Sequence, residues 1–429
     1  MSVDVRLLTA DDDLEPELDL GHRAFGPFGA EERARRLASA QASVAAGRQL
    51  AAFDGSAMVA SARYLDMRQW WHGGSLPMAG VAGVKVAPEE RGRGVGRALM
   101  TGLLEQIAAD GYALSVLYPS TSAVYRSVGW EMAGGQYDVT VPARSLRSLQ
   151  PPDPLARAAE APAGSGAAGA GPGGAGAAGG GAVNGATAAV RRAGPADAAE
   201  IIARSSELHA AARDCGPVTF DAATLAGRLD DPNMYCYLAL DGFLAYRWNR
   251  TSDQMLAYCV HAGSAATARA LWSILASHGT MVTGVRAFVN PVDSVNWLVR
   301  EPDVTLSRPE MWMLRLVDPP AAIAGRGFPE GVGLAVGLSL RDAQLSGNSG
   351  LWMLEISGGK GSLTRVETIP GSARSAGPLR LGARGLAAMY AGTPLASLRQ
   401  AGLAAGGEPG ADAALNEAFA GAPYMFDYF

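Results

Sequence analysis

Along the first 148 residues, strand-like apolar runs alternate with helical stripes. The runs at 50–53, 58–65, 78–86, 114–118 and 136–141 predict strands. Residues 31–46 predict a helix, and so does the stretch that opens at Val95. There Val95, Leu99, Leu103 and Ile107 recur at i, i+4 spacing, and Gly111 supplies a C-terminal cap. Such alternation predicts an α/β unit.

The pattern then returns in weaker form. Residues 187–193 predict a strand, 195–213 a helix started by Pro195, and 235–240, 242–248 and 254–260 three strands with a turn at Asp241-Gly242. An amphipathic helix at 265–278 and a strand at 285–289 complete the series. This order resembles that of the first unit and marks a degenerate structural repeat. From about 307 the character changes to α+β. Strands are predicted at 311–316, 333–340, 351–357 and 362–366, with a hairpin turn at 357–361, and helices at 382–391, 394–401 and 411–419. Residues 151–187 stand apart as almost pure Ala, Gly and Pro. They cannot bury enough apolar surface to offset their ordering entropy, so a disordered linker or insertion loop is expected. The expected domains are 1–150, 188–306 and 307–429, with the linker at 151–187.

Composition narrows the field. A chain of 429 residues suits two to four domains, and a net charge of -5 leaves no electrostatic footprint for nucleic acid. Cys215, Cys236 and Cys259 form no C-x-x-C pair, so neither a metal site nor a disulfide framework is expected. The N-terminus lacks the basic start and apolar run of a signal peptide, and no apolar stretch is long enough to span a bilayer. A cytoplasmic protein that does not associate with membranes is the expectation.

Candidate chemistry concentrates in residues 81–130. The run from Val81 to Val86 enters the loop Ala87-Pro88-Glu89-Glu90-Arg91-Gly92-Arg93-Gly94, and a helix begins at Val95. Gly92, Gly94 and Gly96 let the backbone approach a phosphate, and the N–H groups of the first helical turn point at it. Arg91, Arg93 and Arg97 add positive charge. A diphosphate ligand is the physical inference. The dinucleotide fingerprint is not met, because the third glycine comes one residue early and no acid follows about twenty residues on. A G-K-[ST] phosphate loop is missing too. What stands, R-x-x-G-x-G from Arg91 to Gly96, resembles the pyrophosphate loop of the GCN5-related N-acetyltransferases, which bind coenzyme A.

The downstream half strengthens the resemblance. The predicted strand 114–118 is followed by Ser120 and Thr121 as a helix N-cap, and then by Tyr125-Arg126-Ser127-Val128-Gly129-Trp130. A tyrosine four residues before a glycine, with an aromatic after it, is similar to the superfamily's second conserved segment. The resemblance implies a strand at Val84, Lys85 and Val86 that splays from its neighbour, admits the pantetheine arm and polarises the thioester carbonyl through a main-chain N–H. It also implies that Tyr125 protonates the leaving thiolate. On residue pattern alone, a tyrosine that merely packs the helix is the stronger reading.

The chain ends Tyr424-Met425-Phe426-Asp427-Tyr428-Phe429, an aromatic run where termini are usually polar. This predicts burial. Together with a coenzyme A domain, a second acetyltransferase-like unit and an α+β third domain, it resembles the enhanced-intracellular-survival (Eis) type acetyltransferases. That resemblance implies tandem GNAT-like folds, with mixed, mainly antiparallel sheets, followed by a sterol-carrier-protein-like α+β domain. It implies acetyl-CoA as co-substrate, held by Val84, Lys85, Val86, Gly92, Arg93, Gly94, Val95, Gly96, Arg97, Ser120 and Thr121. It implies an amine acceptor, small and cationic as in aminoglycosides or polyamines, and a homohexamer. By the same resemblance Tyr125 is the acid, and the carboxylate of Phe429 is the base.

Three departures stand out: the length of 151–187, the missing R-x-x-G-x-G loop in the second unit, and Tyr428 where some members carry an acid. Asp427 is a candidate substitute for that acid, and Asp293 and Glu301 are other candidate pocket acids, a solvated face being the plainer reading of both. Two other functions remain open from sequence: acyl transfer to protein lysines, and non-catalytic binding of coenzyme A or lipid.

Overall fold

The computed structural model describes residues 3–147, 149, 188–249, 253–301, 303–369, 377–408 and 410–429. The expected linker at 151–187 lies outside the described residues. Strands follow in the order β1 Asp4–Leu7, β2 Gln49–Asp54, β3 Ala57–Trp71, β4 Gly74–Val86, β5 Leu114–Leu117, β6 Glu131–Pro142, β7 Val190–Ala193, β8 Cys215–Thr219, β9 Tyr235–Ala239 and β10 Gly242–Asn249. Then come β11 Gln254–Ala262, β12 Gly284–Val289, β13 Thr305–Leu306, β14 Glu310–Leu316, β15 Leu334–Arg341, β16 Gly350–Ser357, β17 Lys360–Val366, β18 Leu379–Gly382 and β19 Ala404–Gly406. Four helices matter for the site: α1 Glu15–Phe25, α2 Ala30–Ala45, α3 Val95–Ala109 and α4 Ser122–Ser127. No helix among the described residues is long and apolar enough to cross a membrane.

By contact the chain falls into two compact units. The first gathers Met1–Tyr137, Ser205–Leu225 and Arg308–Phe429, and the second holds Asp138–Arg204 and Ala226–Ser307. In the first unit the strand order is β1-β2-β3-β4-β5-β14, then the N-terminal half of β6. Every pair is antiparallel except β4–β5. A second sheet of the same unit runs β17-β16-β15-β18-β19.

Strand periodicity explains how the two sheets share this unit. Along β14, Trp312, Leu314 and Leu316 face a core with Phe328, Leu338, Leu354 and Tyr390 from the C-terminal segment. Met313 faces the opposite core, where α3 lays down Val95, Leu99, Leu103 and Ile107 as its stripe predicts. The helix closes with Tyr112 N–H on Ile107 O at 3.3 Å and Gly111 N–H on Ala108 O at 3.1 Å, and Gly111 sits at φ +79°. This double bond onto the last turn is what a glycine in the left-handed region permits.

One polar residue breaks the apolar face of β14. Arg315 is fully buried and pairs with buried Asp342 at 2.6 Å. Removing one member of such a pair strands a buried charge at a cost of about 3–5 kcal/mol. Arg315→Met should therefore lower the denaturant midpoint of the first unit by that equivalent, measured by urea unfolding.

The second unit repeats the logic on its own. Its strand order is β12-β11-β10-β9-β7, antiparallel except β11–β12, with the C-terminal half of β6 paired to β13. The helix Ala265–Ser277 buries Leu271, Trp272 and Leu275 against this sheet. Hairpin strands, a helix and a parallel strand thus recur, β9 to β12 matching β2 to β5 in order.

Among the elements that differ from the sequence expectation, three bear on the first unit's interior. β3 runs six residues past 65 because its polar positions are satisfied inside: buried Gln69 donates to Gly216 O at 2.9 Å and accepts from Trp71 Nε1 at 3.0 Å. β8 contains Gly216 and Pro217, residues that read as loop, yet it pairs with β3 at Arg68, Gln69 and Trp71. α1 was hidden by its polar composition.

Candidate active site

β4 makes the site by failing to stay regular. Its register with β3 is continuous from Trp71↔Gly74 to Arg63↔Ala82, then Ser61 pairs with Lys85. Gly83 and Val84 together oppose Ala62, which is a β-bulge, and Gly83 takes φ +62°. On its other edge β4 pairs with β5 only from Met78↔Leu114 to Val81↔Leu117. Past Val81 the strands part, and the main-chain groups of 82–86 on that edge have no strand partner among the described residues. Val84 and Val86 lie on this free stretch. Lys85 lies there too, but its ammonium is buried against Glu17 of α1. What Lys85 offers a ligand is its main chain.

The opening leads to the glycine loop. Gly92 and Gly94 have φ of +79° and +85°, and nothing lies within 4 Å of where a Cβ on either would sit. Gly94 caps α3 without a side chain, and the first helical bond runs from Ala98 N–H to Gly94 O at 3.0 Å. The N–H groups of Val95, Gly96 and Arg97 are therefore left for a ligand. Gly96 is held close, its Cβ position only 3.5 Å from Val86. Arg93 pairs with Glu90, whereas Arg91 and Arg97 are exposed and no carboxylate pairs with them among the described residues. The matching helix of the second unit is built differently. There Ser264 accepts the Thr267 N–H at 3.2 Å, so the first-turn donor is already satisfied.

A cavity of about 830 Å³ opens where β4 and β5 part. Its wall includes residues 81–84 of β4, Leu117 to Ser120, Tyr125, and, from the far end of the chain, Glu310, Tyr428 and Phe429. Thr121 is the residue before α4 and makes no side-chain cap bond. Tyr125 is buried on α4, its phenol near the Ser120 side chain. Burial pushes its pKa up; the Ser120 hydroxyl opposes this and nearby Tyr428 adds to it, leaving the phenol above its ordinary value.

The chain end is threaded into this cavity along a seat made by glycines. Tyr424 N–H bonds Cys215 O at 3.0 Å, Met425 N–H bonds Gly135 O at 3.2 Å, and Gly135 N–H bonds Pro423 O at 3.2 Å. A Cβ on Gly216, at φ +101°, would lie 2.5 Å from Tyr424 O, and one on Gly80 would lie 2.8 Å from the Phe429 ring. Further along, Gln136 Nε2 donates to Phe426 O at 2.7 Å and Tyr118 Oη donates to Asp427 O at 2.8 Å. The Tyr118 ring stands edge-on to Phe429, centroids 5.7 Å apart.

Arg63 of β3 also lines the cavity, and three wall residues carried no signal in the sequence. Glu310 opens a strand expected from 311, and Tyr118 closes one, so both looked structural. Arg63 sits inside a strand with nothing to mark it. The other candidate acids lie elsewhere: Asp293 and Glu301 belong to the second unit, and Asp427 meets the site through its carbonyl. Asp293 accepts the Val295 N–H at 2.9 Å, and burial pushes its carboxyl up to about 6.

Three stretches match known family models. Residues 4–133 match an acetyltransferase (GNAT) domain, 222–316 another acetyltransferase (GNAT) domain, and 319–426 a sterol carrier protein domain. Over 100% of this chain and 98% of the other, the structure of a GCN5-related N-acetyltransferase from Kribbella flavida superposes with TM-score 0.85 at 38% identity. The chain belongs to the GCN5-related N-acetyltransferases. Within that family it is of the Eis type, with two acetyltransferase domains followed by a sterol carrier domain. N-acetyltransferase Eis of Mycobacterium tuberculosis is 26% identical over 283 residues, 65% of each chain. Eis1 from Mycobacterium abscessus shares the fold over 99% of this chain and 100% of its own, with TM-score 0.73 at 23% identity. The matched stretches span 37% to 65% of the curated relatives' own lengths.

Proposed function

We propose that this GCN5-related N-acetyltransferase moves the acetyl group of acetyl-CoA directly onto an amine of a small cationic acceptor, of aminoglycoside or polyamine type. One observation carries the reading: Tyr125 and the chain end at Phe429 line a single cavity at the gap between β4 and β5. The open left-handed loop, the free first-turn N–H groups, and Arg91 and Arg97, which pair with no carboxylate among the described residues, suit a diphosphate, and the gap suits an extended arm. In this reading Gly92 to Arg97 hold the diphosphate, the free main chain of Val84 to Val86 holds the arm, and Ser120 and Thr121 border it. Acetyl-CoA, when bound, supplies the acetyl thioester.

The chain supplies the rest. A main-chain N–H at the bulge stabilises negative charge on the thioester oxygen. The Phe429 carboxylate accepts a proton from the attacking amine. Tyr125 gives its proton to the departing thiolate. Glu310, on the same wall, adds negative charge that favours a cationic acceptor. The reading extends to a homohexamer in the cytoplasm, whose size light scattering would measure.

Incubation with acetyl-CoA and a panel of amines, following thiol release, tests this. Release that depends on the amine is expected, and none above background with any amine would remove the proposal. A pH profile tests the acid separately. A raised Tyr125 pKa keeps the phenol protonated beyond its usual value of about 10. So kcat should hold through neutral pH and fall only above about 10. A fall centred below pH 9 would assign the acid elsewhere.

A further inference from the structure

One end of the cavity is cationic, and acetyl transfer to a simple amine leaves that end unexplained. Arg63 of β3 lines both the large cavity and an adjoining one of about 50 Å³ that reaches beneath the Gly83 bulge. Two other cations line the smaller cavity, and each has its acid. Lys85 pairs with Glu17, and Arg36 pairs with Glu32 at 2.8 Å. Arg63 pairs with no carboxylate among the described residues. Its Nη1 donates to Ser39 Oγ at 2.6 Å, while its buried Nε has no hydrogen-bond partner. Gln49 Oε1, on the same small cavity, has none either. A water between them would satisfy both atoms but would bring no charge to the guanidinium. Burial, with Arg36 beside it, works against that charge, Glu17 favouring it, yet a guanidinium does not give up its proton at any pH of interest.

The position is what makes this functional. Arg63 pairs with Ala82 at the edge of the bulge, and its Nε lies 4.0 Å from where a Cβ on Gly83 would sit. The thioester is placed at this bulge in the reading above, on which the inference rests. We propose that Arg63 forms an anion subsite beside the reacting centre, taking a carboxylate carried either by the acceptor next to its amine or by the acyl chain of the donor. A planar guanidinium matches the two oxygens of a carboxylate in one plane, and the small cavity has room for little more.

Two matched pairs separate the sources. Putrescine and ornithine differ by a carboxylate on the acceptor, and propionyl-CoA and succinyl-CoA by one on the donor. The wild-type protein should favour the carboxylated member of one pair by about 10- to 100-fold in kcat/KM, the range of a charged hydrogen bond. An ornithine advantage identifies the acceptor as the source, and a succinyl-CoA advantage the donor. Arg63→Met should erase the preference while leaving the members without a carboxylate within about twofold, and Arg63→Lys should restore part of it. No preference in either pair, or one that survives in Arg63→Met, overturns the subsite. Calorimetric titration with succinate keeps the two proposals apart. Succinate binding by the wild type and not by Arg63→Met would support the subsite even if no amine turned over, and equal binding by both would count against it.

Discussion

Tyr125→Phe should bind acetyl-CoA as the wild type does, while kcat falls about 10²- to 10⁴-fold. The substitution removes one oxygen and keeps the ring. That ring belongs to the core shared by Leu99, Leu103, Val128 and Trp130, so the fold should survive. The loss in rate would then report the proton and nothing else. A departing thiolate is costly without a donor, and Tyr125 is held protonated by burial on the same wall as the acceptor space. Thiol-release kinetics measure kcat, and titration calorimetry measures cofactor binding. If kcat stayed within about threefold, far short of what an acid supplies, Tyr125 would be a packing residue.

The second large effect is expected at the other end of the chain. A short extension after Phe429 should abolish measurable turnover while leaving acetyl-CoA binding intact. The reason is the seating of the tail. Six residues from Tyr424 to Phe429 are fixed by Cys215, Gly135, Gln136 and Tyr118, and the Phe429 ring lies on Gly80. Extra residues would turn the terminal carboxylate into a neutral amide and would have to fill the acceptor space. Gly216→Val should imitate this without touching the terminus, because its side chain would meet the Tyr424 main chain. Undiminished turnover by the extended protein would rule out the carboxylate as base.

Much of this was legible in the sequence where local rules suffice. The α3 stripe, the Gly111 cap and the glycines of the phosphate loop are short-range features, and each lies where the spacing puts it. The resemblance of 91–96 and 120–130 to one superfamily supplied the fold. What was not legible depends on distant chain. Gly216 and Pro217 read as loop because their strand pairing comes from β3, some 145 residues earlier, and the glycine is explained only by the tail crossing it. Arg63 looked like an ordinary strand residue, since nothing local reveals that its neighbours' charges are already matched. Tyr118 carried no signal, because its partner is the Asp427 carbonyl 309 residues away. The aromatic terminus predicted burial, and Tyr424, Met425 and Phe426 are buried, but Tyr428 is 57% exposed at the cavity mouth.

Direct transfer across a site built from both ends of the chain is the central claim. A single turnover, with enzyme in excess over acetyl-CoA and amine present, tests it in one measurement by mass spectrometry of protein and product together. The expected result is one acetylated amine for each thiol released, with no acetyl group on the protein at any time. An acetylated protein intermediate, or thiol release without acetylated amine, would contradict it.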